Sequence, residues 1–274
     1  MTPTHIIALL CTGLAQGLIS GTLGAGGGWL MTPVQYWVYE DMGIPSDIAI
    51  RMAFATGLFV ILPVCTASAW GHNRRQAVWW KPALVLGGFG LLGAFGGATL
   101  ASHISATPLE IIFGVTVLAV AVRMLTANLL VANKEPKANV WLWVIWALPL
   151  SFVAGLIGVG GGVFMVPLMV LVLGFQMHMA VGTSAAAISM ISAGGVAGYI
   201  FNGVNVAGIP SPSIGYVYIW PWLCLVATGL VMTQVGVRIA QSLPAKQLAW
   251  IFSILALYIG LRMTGVFEWL GWPL

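Results

Sequence analysis

Long stretches of this chain contain no charged side chain. Residues 140–157, 163–175 and 179–201 carry no Asp, Glu, Lys or Arg. A run of about 18 or more such residues is long enough to cross a hydrocarbon core of about 30 Å as a helix. We therefore expect an all-α integral membrane protein whose solvent is the bilayer.

The overall composition agrees with a membrane location. Of the 274 residues, 60% are hydrophobic and only 6% are charged, whereas about a quarter of the residues in a soluble domain are charged. The formal charge of +4 is explained by membrane orientation, so nucleic acid is not an expected partner. Residues 1–5 contain no Lys or Arg, so we expect the first apolar segment to be retained rather than cleaved as a signal peptide.

One glycine-rich phrase occurs twice in the chain. The stretch "SGTLGAGGGWLMTPV" begins at Ser20, and "AGLIGVGGGVFMVPL" begins at Ala154. When the two are aligned, the shared positions include Met31 with Met165 and two sets of glycines: Gly24, Gly26, Gly27 and Gly28 with Gly158, Gly160, Gly161 and Gly162. The coincidence indicates an internal duplication.

The apolar segments follow the same order in both halves of the chain. A polar linker at 133–139, "NKEPKAN", separates them and suggests two membrane repeats within one domain, 1–135 and 136–274. The predicted segments are about 5–23, 26–39, 47–70, 82–103 and 108–132, then 141–158, 161–174, 178–201, 216–241 and 247–270.

The distribution of Lys and Arg favours one of two topologies. If each half has five segments, the second half enters the membrane inverted, and most cations fall on the inside, as the positive-inside rule requires. Only Arg51 and Arg262 then lie toward the outside. The inside set is Arg74, Arg75, Lys81, Lys134, Lys137, Arg238 and Lys246. The alternative, four parallel segments per half, would place Arg238 and Lys246 outside.

The glycine phrases are expected to interrupt a helix in each half. A glycine costs a helix about 1 kcal/mol relative to alanine, and each phrase has four within five positions. Helices of about 11 residues should begin after each phrase and present free N–H groups and the positive end of the helix dipole, which attract an anion. Pro33 and Pro167, five positions beyond the last glycine, are expected to break or kink these half-helices.

Polar partners for an anion are expected on the helix that follows each phrase. In the second half, Thr183 and Ser184 offer hydroxyl donors without a buried charge. The matching stretch of the first half retains Thr56 and introduces Arg51. The hydroxyls are equally compatible with bonding to carbonyls of their own helix. Arg51 either has a functional role or extends to the interface, with Asp47 as its helical partner.

Other chemically active side chains form no recognisable site. Gln35 and His178 are weaker candidates with a structural or interfacial role. The three cysteines and four histidines are scattered without CxxC or HExxH spacing, so the sequence predicts no metal and no cofactor. An intramembrane enzyme would need a general base beside a nucleophile, and none is evident. We therefore expect a protein that is not an enzyme.

The two phrases resemble those of the sulfite exporter TauE/SafE family of bacterial membrane proteins. The resemblance lies in "GTLGAGGGWLMTPV" from Gly21, "GLIGVGGGVFMVPLMV" from Gly155 and "AVGTSAAAIS" from Ala180, and the duplicated layout extends it over essentially the whole chain. The first half departs from the Thr-Ser pattern, since Arg51, Met52 and Ala53 stand in that region.

The resemblance implies a multi-pass permease of the bacterial inner membrane that moves small sulfur-containing anions such as sulfite or organosulfonates. It also implies that the glycine phrases, Thr183 and Ser184 line the anion pathway. In transporters built from inverted repeats, the substrate site lies where the repeats meet, near the membrane midplane, and alternating access arises as they rock. A permease for another small organic anion and a membrane scaffold or assembly factor are the alternative functions, and a homodimer is left open.

Overall fold

The chain folds into a bundle of apolar helices. The computed structural model describes residues 1–126 and 139–240, together with single residues at 250, 254, 257, 258, 260, 261 and 264. The helices are α1 (Pro3–Leu23), α2 (Gly28–Asp41), α3 (Ser46–Asn73), α4 (Trp80–Ala101), α5 (Ala106–Thr126), α6 (Val140–Leu156), α7 (Gly162–Pro167), α8 (Met177–Gly203) and α9 (Ile219–Ile239).

The helices confirm the all-α membrane architecture expected from the apolar runs. Five of those in the described part of the chain, α1, α3, α4, α8 and α9, are long and apolar enough to cross a bilayer. The predicted boundary between repeats at 135 and 136 lies outside the described residues, as do Lys134, Lys137, Lys246 and Arg262. The side of the membrane that each end of the helix bundle faces stays a prediction.

Small residues allow several of the helices to pack closely. Gly13, Gly17 and Gly21 lie on one face of α1, where any added Cβ would collide with the backbone of α9. Gly93 and Gly97 of α4 are pressed in the same way against α6. Without water to drive association, close van der Waals contact between such faces holds membrane helices together.

The two halves exchange partners in a matched way. Helix α1 of the first half packs on α9 of the second, and α6 of the second packs on α4 of the first. Helices α1 and α6 are the first helices of their halves. Their partners, α9 and α4, directly follow α8 and α3, the helices that carry Thr183 and Thr56. The core of the bundle lies where α3 and α8 cross between these pairs.

Helices α3 and α8 run in opposite directions. Gly195, near the end of α8, contacts Leu58, in the first half of α3. Gly182, near the start of α8, contacts His72, in the last turn of α3. Helices α3 and α8, each of which follows a glycine phrase and its short helix, are therefore antiparallel to each other.

A short hairpin precedes α9, where the sequence predicted an apolar segment starting at 216. Ser213–Ile214 pairs with Val217–Tyr218 in antiparallel fashion. Gly215, in the turn, has a left-handed φ of 57°, which glycine adopts without a steric penalty. Helix α9 consequently begins at Ile219, three residues later than expected.

Candidate functional site

The two glycine phrases adopt the same backbone conformation. Helix α1 ends at Leu23 and α2 begins at Gly28; α6 ends at Leu156 and α7 begins at Gly162. Both predicted interruptions are therefore present. Three glycines in each phrase have left-handed φ angles: 62°, 72° and 69° at Gly24, Gly26 and Gly27, and 66°, 73° and 85° at Gly158, Gly160 and Gly161. A left-handed residue other than glycine costs about 1–2 kcal/mol, which explains the residue type at these positions.

Helix α2 folds back along α1 after the first break. The side chain of His5, near the start of α1, lies 2.8 Å from the carboxylate of Asp41 at the end of α2. Gln16, in the second half of α1, donates a 2.8 Å hydrogen bond from Nε2 to the carbonyl of Gly26. The glycine segment therefore turns inward along α1, and α2 starts beside the middle of the bundle instead of at its end.

The half-helices differ from the expected length of about 11 residues, α2 having 14 and α7 only 6, and the two prolines act differently. Helix α2 has 14 residues and continues through Pro33, so the expected break there is wrong. A proline in the second turn removes one backbone hydrogen bond, and a membrane helix tolerates that loss when its surroundings satisfy the carbonyl. Pro167 is the last residue of α7, after which Leu168–Val172 form a π-helical segment.

The two breaks meet each other at the centre of the bundle. A Cβ added to Gly28 would lie 2.9 Å from the Cα of Val159, and one added to Gly162 would collide with the carbonyl of Ala25. Ile61, near the middle of α3, packs its side chain against Gly26, Gly28 and Gly160. The starts of α2 and α7 therefore lie in one central region, covered by an isoleucine.

Neither half-helix has a side-chain cap at its start. Gly27 and Gly161 are the N-cap residues, and a glycine has no side chain with which to cap the first-turn N–H groups. Because the first N–H groups of a helix have no intrahelical partner, they form an electropositive end that favours an anion.

The threonines proposed for anion binding occupy equivalent structural positions. Both are fully buried. Thr183 Oγ1 accepts a 2.9 Å hydrogen bond from the backbone N–H of Trp79, the N-cap residue of α4. Thr56 Oγ1 accepts one of 3.0 Å from the N–H of Tyr218, the N-cap residue of α9. Each threonine thus bonds the start of a helix of the other half: Thr183 on α8 bonds the start of α4, and Thr56 on α3 bonds the start of α9. Neither alternative drawn from the sequence included this contact.

Ser184 is the predicted hydroxyl that the structure brings to a glycine break. Its Oγ lies 3.1 Å from the carbonyl of Gly24 and 2.9 Å from that of Val181, so it can donate to either. The first contact joins α8 of the second half to the break of the first half. The corresponding position on α3, one residue after Thr56, is Gly57.

The hydrogen bonds of Arg51 go to residues outside the two glycine phrases. Its side chain donates to the carbonyl of Ile104 at 2.9 Å and to the hydroxyl of Tyr216 at 3.3 Å. Arg51 lies three residues before Phe54, which contacts Gly158 of the second phrase, and six residues, or about 9 Å along α3, before Gly57. The expected partnership with Asp47 is wrong, because Asp47 instead accepts a hydrogen bond from the N–H of Ala106 at the start of α5. Arg51 and Asp47 together hold the connection between α4 and α5.

Some residues at the breaks escaped the sequence analysis. Gln16 bonds the first break, and its amide within an otherwise apolar segment was an available signal. Ser192, on α8, lies against Gly160, but an isolated serine in an apolar helix carries no such signal. Gln35, for which a structural or interfacial role was expected, is fully buried within the protein.

The comparisons with known proteins agree with this architecture. Residues 9–263 match the family described as sulfite exporter TauE/SafE. A probable membrane transporter protein of Methanocaldococcus jannaschii is 26% identical over 93% of this chain and 94% of its own length. Similar proteins, also named probable membrane transporters, occur in Haemophilus influenzae, at 22% identity over 95% of this chain and 98% of the relative, and in Bacillus subtilis, at 23% over 96% and 99%.

No solved structure matches the chain. The family match covers most of the sequence, and the relatives span nearly its whole length. Together with the five candidate spans, these findings identify a multi-pass integral membrane transporter. The chain belongs to the sulfite exporter TauE/SafE family.

Proposed function

We propose that this transporter moves small sulfur-containing oxyanions, such as sulfite or organosulfonates, and binds them where the two glycine breaks meet. The contact of Gly28 with Val159, together with that of Gly162 with Ala25, carries the proposal. It brings the starts of two half-helices to one point in the core, where their dipoles act on the same anion.

The chemistry of the breaks suits an oxyanion. Glycines with no Cβ let an oxygen approach the backbone N–H groups closely. These N–H groups offer hydrogen bonds without a fixed positive charge, so the protein does not bury a cation when the site is unoccupied. The sulfur oxyanions are suggested by the description of the family, and another small organic anion is the alternative substrate.

We further propose that the halves are inverted repeats that alternate access by rocking. The antiparallel course of α3 and α8 supports the inversion. Arg75 bonds the carbonyl of Val237, which places Arg238 at the same end of the bundle as Arg74 and Arg75. Gly208 contacts Ile48, at the opposite end of α3. Both contacts favour five inverted segments per half over four parallel ones.

The structure corresponds to a closed state in this scheme. Gly162 is in direct contact with Ala25, and Ile61 covers both breaks. An anion can enter between them only when the repeats separate. Helix α1 packs on α9, and α6 packs on α4, so each of these pairs is expected to move as one unit. The rocking motion would then occur along the interface between α3 and α8.

Two measurements test the proposal against a scaffold or assembly role. Purified protein is heated with sulfite, methanesulfonate, sulfate or acetate; an anion bound only by the native state raises stability by RT ln(1 + [L]/Kd), about 2.7 kcal/mol at 100 times Kd. Proteoliposomes are then assayed for flux of labelled sulfite. We expect stabilisation and flux with sulfite. An absence of both with every anion would favour the scaffold.

A further inference from the structure

One face of α2 is polar although it is buried. Gly28, Thr32, Gln35 and Tyr39 follow a spacing of four, three and four residues, which places them along one side of a helix. The side chains of Thr32, Gln35 and Tyr39 are fully buried. In the aligned phrase of the second half, the corresponding residues after the break are apolar: Val166, Met169 and Leu173. The polar face therefore belongs to the first half alone.

Two hydrogen-bond donors on this face have no partner. Thr32 Oγ1 and Gln35 Nε2 are completely buried, and neither has a hydrogen-bond partner within the described residues. Gln35 Oε1 accepts a 3.1 Å bond from the hydroxyl of Tyr39, which fixes the amide with its donor end turned away from Tyr39. An unpaired buried polar group costs about 1–3 kcal/mol, so two adjacent ones call for an explanation.

Both donors face the same point beside Gly57 of α3. A Cβ built on Gly57 would lie 3.6 Å from Gln35 Nε2, 3.8 Å from Thr32 Oγ1 and 3.8 Å from the carbonyl oxygen of Gly158. Those distances are ordinary van der Waals contacts. An atom at the Cβ position of residue 57 would therefore lie close to three polar atoms without colliding with any of them. Gly158 belongs to the second glycine break, which joins this point to the region where the breaks meet.

The equivalent point in the other half is filled. There Ser184 takes the place of Gly57, and its hydroxyl bonds the carbonyl of Gly24, the counterpart of Gly158. Because residue 57 is a glycine, the first half has no side chain at this position to bond the carbonyl of Gly158 or to fill the space beside it. The position that lacks a serine, Gly57, is therefore the position that the unpaired donors of Thr32 and Gln35 face.

We propose that Thr32 Oγ1 and Gln35 Nε2, opposite Gly57, bind an oxygen of the transported anion. The inference rests on the proposed function and assigns the anion an asymmetric position, closer to α2 than to α7. A threonine hydroxyl and a glutamine amide supply up to three donor hydrogens, which suit an oxygen of a sulfite, sulfonate or carboxylate group. Bonds to a charged acceptor are about twice as strong as neutral ones.

Thr32→Val separates a binding role from a structural one. Valine has nearly the same shape and removes a hydroxyl that has no partner among the described residues, so the ligand-free protein should melt at the same temperature or higher. Its Kd for sulfite, measured by calorimetry on the purified transporter, should rise about tenfold. A structural hydroxyl would give the opposite pattern, a lower melting temperature with an unchanged Kd.

A second pair of variants tests the space beside Gly57. Gly57→Ser restores the side chain found at 184 and should weaken sulfite binding at least tenfold while the protein still folds. Gly88→Ser is the matched control, because Gly88 also lies in a long helix and a Cβ there meets no atom within 4 Å. The double variant Gln35→Met with Tyr39→Phe removes the amide without leaving the tyrosine hydroxyl unpaired, and it should behave like Thr32→Val.

The outcomes distinguish this inference from the proposed function. If the unaltered protein binds no sulfite, methanesulfonate or acetate, the proposed function fails and the subsite fails with it. If the unaltered protein binds sulfite and Thr32→Val, Gly57→Ser and the double variant all keep its Kd within twofold, the anion site stands and the subsite is overturned.

Discussion

The hydroxyl of Ser184 on α8 lies 3.1 Å from the carbonyl of Gly24, within hydrogen-bond distance, so a helix of the second half contacts the glycine break of the first. Ser184→Ala removes this donor, and we expect it to lower the free energy of unfolding by about 1–2 kcal/mol because a buried carbonyl loses its partner. Ser189→Ala is the control, since Ser189 bonds only a carbonyl of its own helix, that of Ala186. Equal losses in chemical denaturation of the two variants would contradict the special role of Ser184.

The left-handed glycines provide a second test. Gly161 has a φ of 85°, and the nearest atom to an added Cβ is 3.4 Å away. Gly161→Ala should therefore destabilise the fold through backbone conformation, by about 1–2 kcal/mol, and not through a clash. Gly88→Ala, in an ordinary helical conformation, should be neutral or stabilising. A neutral Gly161→Ala in the same denaturation assay would argue against the left-handed break.

The matched threonines give a third prediction. Thr56 and Thr183 each accept the N–H of a residue that caps a helix of the other half, Tyr218 before α9 and Trp79 before α4. Replacing either with valine leaves that N–H unpaired, so both variants should lose stability by similar amounts, about 1–3 kcal/mol. Serine keeps the oxygen and should recover most of the loss. A large effect at one position alone would contradict their equivalence.

Arg51 allows a test of position. Because it bonds the carbonyl of Ile104 and the hydroxyl of Tyr216, Arg51→Gln should lower the melting temperature. Its guanidinium is held by these two partners, and Arg51 lies six residues, or about 9 Å along α3, from Gly57, so the Kd for sulfite should stay within twofold. A weakened Kd at an unchanged melting temperature would restore Arg51 to the anion site that the sequence suggested.

Much of the fold is readable from local sequence signals. Uncharged runs define the long helices, and the clustered glycines define the two breaks, because both depend on residues close together in the chain. The expectation for Asp47 and Arg51 was wrong for the same reason. Helical spacing considers only near neighbours, and Asp47 bonds Ala106, which another helix brings to it.

The arrangement of side chains and helices around the glycine breaks could not be predicted from the sequence. Nothing in the spacing shows that α2 turns back along α1, that Ile61 covers both breaks or that Gln35 and Thr32 face Gly57. An apolar side chain is equally suited to lipid and to protein inside a membrane, so hydropathy does not say which neighbours it meets. The hairpin before α9 was missed because its strands have only two residues each.

The central claim, that an anion binds where the glycine breaks meet, is tested most directly by sulfite flux in proteoliposomes carrying Gly161→Leu. Leucine places a bulky side chain beside the start of α7 and strains the left-handed backbone. Gly88→Leu, whose Cβ meets no atom within 4 Å, controls for the added bulk. With folded, equally reconstituted protein, we predict that Gly161→Leu abolishes flux and Gly88→Leu preserves it. Undiminished flux through Gly161→Leu would contradict the account.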